Sequence, residues 1–266
     1  MLHLRTIDIH LTGSETGFPF SLPVVRGWQR LELAAPVTFF VGENGSGKST
    51  VLEALTAAAG SIVAGAAETA ADPTLAHARQ LADRMRLTWN KRTGRGFFLR
   101  AEDFVGYVKR NAATRADMEG EIRRVDEEYE GRSEYAKGLA KLPFAGQLHD
   151  MERRYGAGLE TRSHGEQFID FFQGRFVEGG LYLLDEPEAP LSPLRQLGLL
   201  ALLREMVGRE AQFIIATHSP ILMAFPGAEI LSFDQVPPKR VAYGALEHVT
   251  LTRDFLNDPE RFLRYL

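Results

Sequence analysis

The chain has 266 residues, enough for one large α/β domain or two small ones, and such a length can bury a core without a metal or disulfide staple. It contains no cysteine, which excludes disulfides, cysteine-ligated zinc and thiol catalysis, and fits a reducing compartment. The formal net charge of −4 gives no compositional support to nucleic-acid binding.

Arg5, Asp8 and His10 interrupt the first apolar stretch, so no secretory signal is expected there. No segment is apolar and long enough to span a bilayer, and the expected location is cytoplasmic. Leu2–Leu11 alternates and reads as a strand, and Gly13–Phe20 as a loop. Arg30–Leu33 and Val37–Val41 are short apolar runs; the second, between Pro36 and Gly42, has the form of a buried strand. Lys48–Ala59 follows as a helix, with Val51, Leu52 and Leu55 at helical spacing, and Ala54–Ala71 reads as its end running into a loop.

From about Gly60 to Gly174 the chain is charged and poor in β-branched residues. Pro73–Leu87 and Glu102–Glu130 read as helices, with Gly96–Arg100 able to add a strand between them. Gly131–Gly158 is rich in turn residues and charge and reads as a mobile stretch. A helix is expected at Gly165–Phe176, a strand at Leu181–Asp185, a helix at Pro193–Gly208 and a strand at Gln212–Ala216. Strands at Glu229–Phe233 and Arg240–Glu247 and a helix ending at Tyr265 complete the series. Strands alternating with helices at both ends imply an α/β fold with a mostly parallel sheet, and the helical middle is then an inserted lobe. The expected division is a lobe of about 1–60 with 177–266 and a helical lobe of about 61–176.

Gly42-Glu43-Asn44-Gly45-Ser46-Gly47-Lys48-Ser49 fits the phosphate-loop pattern G-x-x-x-x-G-K-[ST] between an apolar strand and a helix. Its glycines admit positive φ and close approach of the backbone to phosphate, and its N–H groups with the helix N-terminus face the anion. Lys48 is expected on the β- and γ-phosphates of ATP, and Ser49 on Mg2+. Leu181–Asp185 is a buried strand ending in a carboxylate, so Asp185 is a second expected Mg2+ ligand and Glu186 is placed to polarise the attacking water. His218, after the next strand, is expected either to bond the γ-phosphate or to hold Glu186. Ser163 with Glu166 reads as a capping box, or Ser163 and the Gly165 N–H as an anion site at a helix N-terminus.

Taken in order, these motifs resemble the soluble branch of ABC-type ATPase heads, which includes the SMC and DNA-repair ATPases and small bacterial AAA-labelled ATPases. The resemblance rests on Val41–Thr50, Ser163–Glu166, Leu183–Ala189 and Ala216–Leu222, and extends to Gly96–Glu102 and Arg253–Arg261. It implies a P-loop NTPase fold of the ABC type, not the hexameric AAA+ type. It also implies a nucleotide site that takes in Thr50, and a homodimer in which each ATP lies between one phosphate loop and the other copy's Ser163 segment. Glu186 would be general base. The Leu-Ser-Gly-Gly-Gln signature of transporters is absent, with Ser163–Gln167 in its place. No Gln stands where the lobe-linking loop usually brings one to Mg2+, and Glu102 is the candidate by position. Trp28 and Arg26 could stack on the adenine, though core packing suits Trp28 and a solvated face Arg26. Asn90–Thr93 resembles a guanine-specificity motif without its Asp and reads as a turn. His3, His10, His77, His149 and His248 have no ligand spacing, so no metal beyond Mg2+ is expected. The function implied is an ATPase that drives or gates a protein partner, in DNA maintenance or a toxin or defence system. A nucleotide-dependent assembly switch and the nucleotide-binding subunit of a membrane transporter are the alternatives.

Overall fold

The computed structural model describes residues 2–64, 76–155 and 164–264. They divide into two units, Met1–Ala101 with Phe176–Leu266, and Glu102–Arg175. No helix among the described residues is long and apolar enough to cross a membrane.

The first unit is built on β3 (Val37–Val41), β7 (Leu181–Asp185) and β8 (Gln212–Ala216), whose residues are all buried. Such continuous apolar runs belong to central parallel strands, which are covered on both faces. Adding β4 (Ile62–Val63), β6 (Gly96–Arg100), β9 (Glu229–Ser232) and β10 (Lys239–Arg240) gives a seven-stranded sheet of order β10-β9-β3-β8-β7-β6-β4. Its pairs are parallel except β9 with β10. A second, antiparallel sheet has the order β2-β1-β5, from β1 (Leu4–Ile9), β2 (Leu31–Glu32) and β5 (Met85–Trp89).

Helix α2 (Lys48–Ala59) packs against β5 of the small sheet and against β7 and β8 of the large one. Its buried Val51, Leu52 and Leu55 join one core with Leu4, Ile7, Phe40, Leu183, Ile214 and Phe233. The buried Gln212 side chain ties the sheets together: its Oε1 accepts from the His3 and Leu4 N–H groups at 2.8 Å each, and its Nε2 donates to the Leu4 carbonyl at 3.0 Å. Elsewhere in the unit Phe97, Phe176, Tyr182 and Phe213 form an aromatic cluster with ring centroids 4.5–5.8 Å apart.

The second unit is helical: α4 (Ala101–Glu128) begins at its border, and α5 (Glu134–Tyr155) and α6 (His164–Arg175) follow. Phe168, Phe171 and Phe172 stand at helical spacing on α6, and Phe104 of α4 meets Phe168 edge-on at 4.6 Å and Phe171 at 5.5 Å.

Five expectations need correction. Residues 85–87 are not the end of a helix; α3 (Ala76–Ala82) stops and Met85–Trp89 pairs with β1, its alternating burial fitting a strand. Residues 73–75 of that expected helix lie outside the described residues. Residues 134–155 are helix α5, with Pro143 inside it, so the turn residues Gly138, Pro143 and Gly146 masked a good helix-forming background of Ala, Leu and Lys. The expected strand Arg240–Glu247 shrinks to Lys239–Arg240, because a 3-10 turn at Tyr243–Ala245 leads directly into α9 (Glu247–Asn257). The C-terminal helix is in fact two, since Asp258 caps α10 (Pro259–Leu263) by accepting from the Arg261 N–H, with Pro259 in its first turn. The helical unit begins at Glu102, whereas the sequence reading opened it near residue 61; the intervening β4, β5 and β6 pair within the two sheets. The phosphate-loop pattern spans the turn from β3 into α2 of a mostly parallel sheet, and the chain has the α/β fold of a P-loop NTPase.

Candidate functional site

Parallel register brings the site together. Phe40 and Asp185 both stand opposite Ala216, so Gly42, Glu186 and His218 leave β3, β7 and β8 at the same edge of the sheet. This is the edge beyond the carboxyl ends of parallel strands, where open α/β sheets bind ligands.

The loop itself is a backbone cradle. Gly42, Gly45 and Gly47 have φ of 141°, 83° and 98°. At Gly47, which precedes α2, a Cβ would come 2.7 Å from Val24 Cγ1, so only glycine fits. Glu43, Asn44 and Gly45 are exposed, and Ser46, Ser49 and Thr50 half-buried. The Ser46 hydroxyl is itself buried and finds no hydrogen-bond partner among the described residues. Lys48 is buried, and its ammonium donates to the carbonyls of Gly42 at 2.7 Å and Glu43 at 3.0 Å. Burial pushes its pKa down, opposed by Glu186, Asp234, Asp185 and Glu43.

The Ser49 hydroxyl donates to Asp185 Oδ1 at 3.1 Å, joining the start of α2 to the end of β7. Burial lifts the Asp185 carboxyl to about 7; Ser49 works against this, Glu186 and Glu53 with it, and Arg100 against. Arg100 is itself paired to Glu53 at 2.8 Å. Glu186 is exposed and has φ of 49°, a left-handed conformation that a non-glycine residue holds only under constraint. Its N–H donates to the Ala216 carbonyl at 2.9 Å, which fixes that conformation. Its carboxylate lies 3.8 Å from His218 Nε2, beyond a hydrogen bond, and that Nε2 has no hydrogen-bond partner among the described residues. The His218 N–H donates to Glu188 at 2.7 Å, and burial and then Lys48 push the imidazole pKa down.

These residues fit a Mg2+–nucleoside triphosphate. The glycine cradle, the unpartnered Ser46 hydroxyl and a buried ammonium parked on carbonyls suit phosphate. A serine hydroxyl and a carboxylate already in contact are the hard oxygen donors that Mg2+ takes.

Of the residues expected from the sequence, the first unit brings together Gly42–Thr50, Asp185, Glu186 and His218. Glu102 is exposed in the first turn of α4, and Gly165 and Glu166 stand in the first turn of α6, all in the second unit. Ser163 lies outside the described residues. Trp28 is buried, with Nε1–H donating to the Ile7 carbonyl at 3.1 Å and its ring edge-on to Phe233, so it is a core residue. Arg26 is exposed and donates to the Phe20 carbonyl. Asn90–Thr93 follows β5 as an irregular segment.

Three residues near the loop were not read from the sequence. Asp234 accepts from the Glu43 N–H at 2.7 Å and abuts Gly42, where a Cβ would come 2.8 Å from its carboxylate. It lies just beyond the carboxyl end of β9, whereas Asp185 is the last residue of β7. Glu188 holds the His218 backbone. His248 of α9 interacts electrostatically with Asp234, Glu43 and Lys48, and no short-range pattern marks it.

Comparison with known proteins places the chain. An AAA domain model (AAA_23) matches residues 20–153, half of the sequence. A second, described as an AAA domain, putative AbiEii toxin of a type IV toxin–antitoxin system (AAA_21), matches residues 173–224. No curated protein matches. Similar solved structures include the ADP conformation of an ATP-binding cassette of an ABC transporter, at 16% identity and TM-score 0.43, covering 100% of this chain and 98% of that one. The SMC head domain from Thermotoga maritima is 15% identical, with TM-score 0.42 and coverage of 90% and 98%. The Smc head domain of Pyrococcus furiosus bound to the C-terminal domain of ScpA is 13% identical, with TM-score 0.45 and coverage of 97% and 99%. On the AAA_23 match, together with its phosphate loop, the chain belongs to the AAA-domain family of ATPase-like proteins.

Proposed function

We propose that the chain binds ATP with Mg2+ and hydrolyses it. The observation that carries this reading is the Ser49–Asp185 hydrogen bond, with Lys48 beside it and Glu186 at the next position along. Lys48 leaves the loop carbonyls to bind the β- and γ-phosphates, while the loop N–H groups and Ser46 hold them in place. Ser49 and Asp185 would hold Mg2+, whose chemistry there would be to neutralise phosphate charge. Glu186 orients the attacking water and draws off its proton, and His218 steadies the Glu186 carboxylate or donates to the γ-phosphate. Two copies pack face to face, and Ser163, together with Gly165 and Glu166 of α6, completes the partner copy's phosphate site. Opening and closing of that pair drives or gates a protein partner. The toxin–antitoxin wording of the model matched by residues 173–224 supports a toxin or defence setting over DNA maintenance.

The test is steady-state phosphate release by wild type and Glu186→Gln, with Mg2+ and with EDTA. The substitution keeps shape and removes the base, so turnover should fall by about 100-fold or more while ATP is still bound. If wild type turns over no faster than Glu186→Gln, the chain is a nucleotide-dependent switch instead. A stable pair trapped by ATP in the Glu186→Gln protein, seen by light scattering, is the expected assembly, and a monomer there refutes it.

A further inference from the structure

The Nε2 atom of His248 is shielded from solvent and finds no hydrogen-bond partner among the described residues, as is true of His218 Nε2. The two imidazoles interact electrostatically with each other and with Lys48. Glu43 and Asp234, the other near charges of His248 beside its neighbour Glu247, mark the start of the phosphate loop, where Glu43 is bonded to Asp234. The Lys48 ammonium rests on the Gly42 and Glu43 carbonyls at that same place. A buried polar atom without a partner is unfavourable, and a protein keeps one where a ligand supplies what is missing. Lys48, the Ser46 hydroxyl and, in their Nε2–H tautomers, the two imidazoles would offer donors there, which suits an anion.

We propose that His248 is a second histidine of the phosphate site, donating through Nε2–H to the terminal phosphate of a nucleoside triphosphate and so selecting triphosphate over diphosphate. The inference rests on the ATP-binding reading above and adds α9 to the elements that build the site. Burial, with Lys48 nearby, favours the neutral imidazole against the pull of Asp234 and Glu43, and the neutral Nε2–H tautomer has one proton to donate. Only a group beyond the β-phosphate distinguishes ATP from ADP, so this contact affects one nucleotide and not the other.

The experiment is equilibrium titration of the full chain, in Mg2+, with the non-hydrolysable analogue adenylyl-imidodiphosphate and separately with ADP. His248→Ala should bind the analogue about tenfold more weakly and ADP as wild type does, the loss expected of one hydrogen bond to a charged group. His248→Gln, whose amide donates, should recover part of the preference. Where His248→Ala does not fold, His248→Asn, polar but too short to reach, must show the same selective loss. Unchanged analogue binding, or equal losses for analogue and ADP, overturns the proposal. Lys48→Ala separates the two readings. If it loses the analogue while the His248 variants do not, only the role of His248 falls. If wild type itself does not bind the analogue, ATP binding is refuted and the proposal with it.

Discussion

Replacing Asp185 with asparagine should make the nucleotide-free, metal-free protein more stable, and increasingly so as pH rises. Asp185 is 7% exposed, and burial lifts its carboxyl from 3.8 to about 7. In the unfolded chain it titrates near 3.8, so between about pH 4 and pH 7 the native state holds a proton that the unfolded state has lost. The sign follows: the contribution is complete below pH 3.8 and is lost as pH rises through 7. The shift spans about three pH units, each worth about 1.36 kcal/mol, so full ionisation removes about 4 kcal/mol of stability. Solvent screening of the carboxylate makes this an upper bound. Asparagine keeps an oxygen to accept the Ser49 hydroxyl but has no charge to bury. Urea unfolding of both proteins in EDTA, from pH 5 to pH 8, should show the variant ahead by about 1.5 kcal/mol at pH 5 and by up to about 4 kcal/mol at pH 8. The same variant should lose the added stability that wild type gains from Mg2+ with a triphosphate. A stability difference that stays flat across the pH range refutes the reasoning.

Gly47→Ala should abolish nucleotide binding, because a Cβ at φ of 98° is strained and meets Val24 at 2.7 Å. Isothermal titration with ADP checks it, and wild-type affinity would contradict the cradle geometry. Gln212→Leu should lower stability by about 2–5 kcal/mol, since it strands the buried N–H groups of His3 and Leu4. Denaturant unfolding reads that loss, and a change under about 1 kcal/mol would show that the two sheets do not depend on this side chain.

Much of this architecture could be read locally. The phosphate loop needs particular residue types at contiguous positions, so Gly42–Ser49 announces itself, and Val37–Val41, Leu181–Asp185 and Gln212–Ala216 are apolar runs that only a central parallel strand explains. The misread segments are those whose state is set by distant partners. Met85–Trp89 is a strand because β1 is there to pair with it. Residues 134–155 are the exception, a helix whose Ala, Leu and Lys background was masked by Gly138, Pro143 and Gly146. Asp234 and His248 reach the loop through the register of β9 against β3 and the turn into α9, and no spacing in the sequence encodes either.

The site's separate oddities have one physical origin. Asp185 is shifted up and Lys48 down, each by burial. Glu186 sits in a left-handed conformation, and the Ser46, His218 and His248 polar atoms are buried without partners among the described residues. Each feature is unfavourable alone, and each concerns a donor or acceptor aimed at the same edge of the sheet. A divalent cation brings positive charge to Asp185, and a triphosphate brings negative charge to Lys48 and acceptors to the hydroxyl and the imidazoles. A single ligand would thus meet the buried charges and the unpartnered donors together, most fully for the species with most charge. Triphosphate with Mg2+ should therefore raise the melting temperature more than diphosphate with Mg2+, and either more than nucleotide in EDTA. The reverse order would mean that these residues are buried for packing and not for a ligand.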